Sequence, residues 1–179
     1  MRLEICTERV ELLDADALLL PVDGKLCRLG GATANALRAV LPADERAEEI
    51  EYVEDQLARL RTLAHPSAAV IDGVARWSKL VVSAAYPHDV DGATFSPNQC
   101  AQMIRAAIPA AVKLAAEHAI PSLAATLIGT QYRMPVDLAV RAFVDALAAT
   151  TDPVIVRWSI PDEQARELAR AAAARVGLR

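Results

Sequence analysis

The sequence predicts an α/β fold, a three-layer α/β/α sandwich around a mostly parallel, mixed sheet of about six strands. Three observations predict it. Six short apolar runs bounded by polar or turn residues recur at 3–6, 17–20, 68–71, 80–84, 123–128 and 154–158, and runs of this length read as strands. Segments of helical character lie between most of them, so the strands are joined by crossovers that make the sheet mostly parallel and cover both its faces. The chain has 179 residues, 54% of them hydrophobic, which suits one substantial core, so residues 1–179 are expected to form a single domain.

The elements follow in order. The run at 3–6 opens the chain, and Ala17-Leu18-Leu19-Leu20 forms the second strand. After it come Pro21-Val22-Asp23-Gly24 and then Gly30-Gly31-Ala32-Thr33-Ala34-Asn35-Ala36-Leu37, a loop that passes into a helix start. The acidic stretch 44–55, with Glu45, Glu48, Glu49, Glu51 and Glu54, reads as a solvated helix face, with a partner surface as the alternative. Strands at 68–71 and 80–84 precede Ser96-Pro97-Asn98-Gln99, which combines an N-cap, a proline at the first helical position and a glutamine placed for a capping box. The alanine-rich helix so begun extends to Ala119, and Pro109 is expected to kink or restart it, because proline lacks the N–H and crowds the preceding turn. The strand at 123–128 leads through Gly129-Thr130-Gln131-Tyr132 to a helix from Pro135 to about Ala149. Ser159-Ile160-Pro161-Asp162 then opens a last helix that ends near Gly177.

Composition narrows the function classes. A net charge of −4 and a pI near 5.4 argue against a general electrostatic hold on nucleic acid or acidic membranes, which needs a clustered positive face. No apolar run approaches the roughly 18 to 20 residues of a membrane span, and the first residues turn acidic before a signal-peptide core could form. A soluble cytoplasmic protein is the expectation. Cys6, Cys27 and Cys100 are odd in number and widely spaced, so neither a disulfide framework nor a thiolate metal site follows. His65, His88 and His118 lack paired ligand spacing, and the sequence points to no metal and no cofactor.

Chemistry is expected at two strand tips. A buried strand that opens onto a small-residue loop and restarts as a helix presents backbone N–H groups to an anion, and the helix dipole adds favourable potential. The first such loop contains Gly30, Gly31 and the N–H groups of Ala32 and Thr33; the second contains Gly129 and Thr130. Glycine pairs are also ordinary loop residues, so each has a purely structural alternative. Ser83, His88, Asp89 and Asp91 supply the residue types of a nucleophilic site, but no Gly-x-Ser-x-Gly elbow surrounds Ser83 and nothing in the spacing assembles a triad.

These loops carry a family resemblance over nearly the whole chain. Asp16-Ala17-Leu-Leu-Leu20-Pro-Val-Asp23 resembles the Asp-Ala-Ile-Val-Asn-x-x-Asn stretch of macro domains, the fold that binds ADP-ribose. Gly30 to Leu37 resembles the family's Gly-Gly-Gly-Val-Ala-x-Ala-Ile helix start, Val81-Val82-Ser83-Ala84-Ala85-Tyr86-Pro87 its Val-Ile-His-x-Val-Gly-Pro strand, and the segment from Ile128-Gly129-Thr130 its second loop. The resemblance implies a macro-domain-like binding module for ADP-ribose or a related nucleotide-diphosphate metabolite. Asp23, Gly30, Gly31, Ala32, Thr33, Gly129, Thr130, Gln131 and Tyr132 would contact the ligand, and Arg9 would stand beside it.

Departures from the family pattern leave alternatives open. Asp23 stands where the family has an asparagine that orients the distal ribose and catalytic water. A carboxylate there could accept hydroxyl protons or act as a general base. It would also repel a diphosphate by about 3 kcal/mol at roughly 5 Å and an effective dielectric near 20. Alternatively, Asp23-Gly24 is simply a turn. Arg9 takes the place of the family's adenine-binding acid, and a guanidinium has no acceptor to offer. It faces a phosphate or a base, or is solvated. Leu20 replaces the first asparagine, Ala32 the third glycine and Gln131 a glycine of the second loop. ADP-ribosyl hydrolysis with Asp23 orienting water is therefore one alternative function. A degenerate fold that has lost its ligand and serves as an interaction or homodimerisation scaffold is another.

Overall fold

A computed structural model describes residues 1–24, 29–86, 95–130 and 134–178. His88, Asp89, Asp91, Cys27, Gln131 and Tyr132, all singled out above, lie outside the described residues. The strands are β1 (Arg2–Cys6), β2 (Ala17–Pro21), β3 (Ala68–Asp72), β4 (Lys79–Ser83), β5 (Ser122–Ala125) and β6 (Ile155–Ser159). The helices are α1 (Gly31–Val40), α2 (Arg46–Arg59), α3 (Pro97–Glu117), α4 (Val136–Ala148) and α5 (Glu163–Arg175), with a 3-10 turn at Val10–Leu12 between β1 and β2. The six strands form one sheet in the order β1-β6-β5-β2-β4-β3. Every neighbouring pair is parallel except the antiparallel hairpin of β3 and β4.

The apolar run at 17–20 is explained by cover on both faces. Successive strand residues point to opposite sides. Leu19 joins Val81, Leu123 and Val156 in a core that packs against α3, α4 and α5. Leu18 and Leu20 join Leu80, Val82 and Ala124 in a second core under α1, α2 and the 3-10 turn. Leu18, Leu19 and Leu20 are all fully buried, and each such side chain contributes roughly 1.5–3 kcal/mol of transfer free energy. A polar clamp fixes the start of this central pair. The N–H of Asp16 donates to Ser122 Oγ at 3.0 Å, and the Ser122 hydroxyl donates to the Asp16 carboxylate.

The capping box forms as read: Ser96 Oγ accepts from the N–H of Gln99, while the Gln99 side chain accepts from the N–H of Ser96 at 2.8 Å. Helix α3 runs through Pro109 without restarting. Ile104, Ala107, Ile108, Ala111 and Val112, on both sides of the proline, are fully buried against the sheet. Their packing offsets a penalty of about 3 kcal/mol for an interior proline. On α2, Glu48, Glu51 and Glu54 are exposed while Val53 and Leu57 are buried, the amphipathic division expected of a surface helix.

One strand is shorter than its apolar run. β5 ends at Ala125 rather than continuing to Ile128, because the Thr126 carbonyl is taken by the buried Trp158 indole N–H at 3.2 Å and the backbone turns out of the ladder. No helix among the described residues is long and apolar enough to cross a membrane.

Candidate functional site

The site follows from the pairing of β2 with β5. Ala17 is in register with Leu123 and Leu18 with Ala124, and the strands are parallel, so the chain leaves both at the same edge of the sheet. In an open parallel sheet the crevice beyond the carboxyl ends of the strands is where ligands bind. Hydrogen bonds join the neighbouring exits: the N–H of Val22 donates to the Ser83 carbonyl at 2.8 Å, and that of Tyr86 to the Val22 carbonyl at 3.1 Å.

A cleft opens there in two connected parts. The larger, about 370 Å³, lies between the 3-10 turn, α1, the segment after β5 and the start of α5; Arg9, Glu11, Asn35 and Asp162 are its charged or amide-bearing walls. The smaller, about 250 Å³, extends toward Pro21, Gly30, Thr33 and Tyr86. Ala32, Thr126, Leu127 and Thr130 line both, which makes them halves of one elongated cleft. Among the residues expected at the site, Arg9, Gly30, Ala32, Thr33 and Thr130 are brought together.

The N-terminus of α1 forms part of the smaller half. Gly30 is the extended N-cap, and as a glycine it supplies no side-chain cap of its own, which leaves the first-turn N–H groups to partners from outside the helix. A methyl group on Gly30 would meet nothing within 4 Å, because the residue borders open cleft. Gly31 begins the helix at φ +69°, a conformation that favours glycine.

The other glycines are set by packing. Gly129 has φ +106°, and a Cβ there would stand 2.7 Å from Met134 Sδ and 3.2 Å from an Ile104 methyl. Its missing side chain makes room for Met134. Gly24 presses on the backbone of Leu63, whose carbonyl oxygen would be 2.2 Å from an added Cβ, and the Leu63 N–H donates to the Gly24 carbonyl. Asp23, half-buried beside it, is not among the described residues that line the two halves. Ser83 is fully buried, with its hydroxyl directed to the Ala107 carbonyl at 3.4 Å.

At the other end, the guanidinium of Arg9 forms an ion pair with Glu11. Their exposures differ: the Arg9 side chain is 71% accessible and that of Glu11 only 11%. Arg9 thus lies over a recessed carboxylate. Arg76 secures the turn by donating to the Glu11 carbonyl at 2.5 Å. Asp162 caps α5, accepting from the N–H of Ala165 at 2.7 Å, and Ser159 Oγ donates to the Glu8 carbonyl at 2.8 Å. Glu11, Asn35, Ser159 and Asp162 escape a reading of the sequence. Asn35 sits one helical turn beyond Ala32 on α1, a spacing that could have indicated it. Glu11, Ser159 and Asp162 reach the cleft only through folding of distant segments.

No protein-family model and no curated protein sequence matches the chain. Solved structures do. The Oceanobacillus iheyensis macrodomain with ADP superposes with a TM-score of 0.72 at 13% identity, covering 97% of this chain and 90% of that one. A mutant of the same macrodomain with ADPR gives 0.72 at 14% identity, covering 97% and 92%. The Trypanosoma brucei macrodomain in complex with ADP gives 0.67 at 15% identity, covering 95% and 67%. Identities this low transfer no residue roles, but the agreement spans almost every element, and the chain adopts the macrodomain fold.

Proposed function

We propose that the chain binds ADP-ribose or a related nucleotide-diphosphate metabolite in the elongated cleft at the carboxyl edge of β2 and β5. The observation that carries this reading is the shape of the cleft joined to the start of α1. A half that joins the start of α1, with its glycine N-cap Gly30, to Thr33 and Thr130 suits a diphosphate. The larger half offers Leu127 and Ile160 for apolar contact, with Arg9 as a donor at its rim and the recessed Glu11 carboxylate as an acceptor beneath it. An extended molecule with a charged centre and a flat heteroaromatic end matches both. The solved macrodomains with ADP or ADPR support the same class of ligand.

A thermal-shift and calorimetric screen with ADP-ribose, NAD, AMP and ADP tests the proposal. A ligand at 100 times its dissociation constant stabilises a protein by about 2.7 kcal/mol, so a clear rise in melting temperature with ADP-ribose or ADP is expected. No shift with any of the four favours the interaction scaffold. One observation speaks against the hydrolase alternative: Leu20 is fully buried in the core under α1, at the position that the family resemblance gives to an asparagine.

A further inference from the structure

A second feature lies on a lateral edge of the sheet, away from the strand tips that bound the cleft. β3 is the terminal strand, and its outer backbone groups can be assigned by alternation. At one end Ser67 accepts from the N–H of Ala84, and at the other Gly73 donates to the Ser78 carbonyl, so odd-numbered residues face β4. Even-numbered residues therefore face outward. Asp72 confirms this, since its N–H and carbonyl are both bonded by the Gln56 side-chain amide at 3.0 Å each. Gln56 occupies that end of the edge as a further strand would. Two residues earlier, Val70, whose N–H and carbonyl the same alternation turns outward, lines a cleft of about 310 Å³ together with Gln56, Arg59, Asp72, Lys79 and His118.

The charge of this cleft is opposite to that of the chain. Three basic side chains meet one carboxylate, Asp72, which already receives Lys79 Nζ at 2.5 Å and the Tyr52 hydroxyl at 3.5 Å. Arg59 and His118 make no ion pair among the described residues and both are exposed. An unpaired strand edge is a template for another strand, and main-chain pairing with side-chain pockets is a recurrent way to hold an extended peptide. We propose that the open edge of β3 docks an extended acidic peptide segment of a partner protein, which pairs with the backbone of Val70 and presents carboxylates to Arg59 and His118.

The test uses the full chain and fluorescence anisotropy with a labelled eight-residue peptide of paired residues, Glu-Glu-Val-Val repeated, which turns carboxylates toward both α2, with Arg59, and the end of α3, with His118. Its counterparts carry lysine for glutamate, or N-methyl groups on alternate backbone nitrogens. The glutamate peptide should bind at least about 3-fold more tightly than the lysine peptide, and Arg59→Glu should weaken it by about 3- to 10-fold. N-methylation should weaken it by about 10-fold through loss of main-chain bonds. Val70→Pro should do the same without altering the thermal response to ADP-ribose, because proline is tolerated where a strand N–H faces outward. Equal binding of the lysine or N-methylated peptide, or no binding of the glutamate peptide at millimolar concentration, overturns the proposal. So does a dimer in sedimentation velocity that Val70→Pro abolishes, since the edge would then belong to a second copy. If Val70→Pro does not fold, the N-methylated peptide still decides.

Discussion

The indole N–H of Trp158 on β6 donates to the carbonyl of Thr126 at 3.2 Å, and this bond links the hydrophobic core to the wall of the candidate cleft. The Trp158 ring is fully buried and packs at 4.6 Å, centroid to centroid, against Phe143. Thr126 lines both halves of the cleft. Trp158→Phe keeps much of the packing and removes the donor. Loss of the bond should destabilise the fold by about 1–3 kcal/mol, read from urea unfolding. It should also lower the affinity for ADP-ribose, read by calorimetry, as Thr126 loses its tether. Lower stability with unchanged affinity would show that Trp158 does not position the wall.

Two glycines should respond differently to the same substitution. Gly129→Ala places a methyl 2.7 Å from Met134 Sδ in a positive-φ conformation, and stability should fall by roughly 1–3 kcal/mol. Gly30→Ala meets nothing within 4 Å and should cost about 1 kcal/mol or less as a weaker N-cap. Gly30 lines the smaller half of the cleft, however, so if the ligand lies against the start of α1 the added methyl should lower ADP-ribose affinity by about 10-fold. Calorimetry beside thermal unfolding separates the two effects. A Gly30→Ala protein that binds as the native one does would move the ligand away from the start of α1.

Asp23→Asn distinguishes the readings of the first loop. A carboxylate close to a bound diphosphate would repel it by about 3 kcal/mol before screening, so its removal would tighten binding markedly. Asp23 is absent from the described lining of the cleft. Affinity for ADP-ribose should therefore change by less than about 3-fold. Turnover of an ADP-ribosyl substrate that falls by about 100-fold in the variant, with binding intact, would instead make Asp23 a general base.

Asp72 gives a pH dependence whose sign is defined. Its hydrogen bond from Lys79, with the charge of that lysine, holds the carboxyl below the usual carboxylate range. The folded state then binds fewer protons than the unfolded state in the acid range. Asp72 thus stabilises the protein above its unfolded pKa, and the contribution is lost as pH falls through the folded pKa. Asp72→Asn should lower the urea midpoint near neutral pH and flatten its decline below about pH 4. Parallel curves for both proteins between neutral and acid pH would contradict this.

Sequence alone determined the elements and their class. Ala17 to Leu20 reads as a strand because four consecutive apolar residues satisfy two buried faces, and Ser96, Pro97 and Gln99 announce a helix because local hydrogen bonds and proline geometry act within one turn. The two strand-tip loops were legible for the same reason, since glycine after an apolar run is a local signal. Only the tertiary structure decided what those loops do. Gly129 is required by Met134 and Ile104, and β5 stops at Ala125 where the Trp158 indole takes the Thr126 carbonyl. Arg9 was visible as a departure from a family pattern, but the recessed carboxylate beneath it was not. Glu11 joins Asn35 and Asp162 in one wall because the 3-10 turn, α1 and the start of α5 converge across the sheet. Such a site depends on contacts between residues far apart in the chain, whereas helix caps, turns and apolar periodicity are written in neighbouring residues.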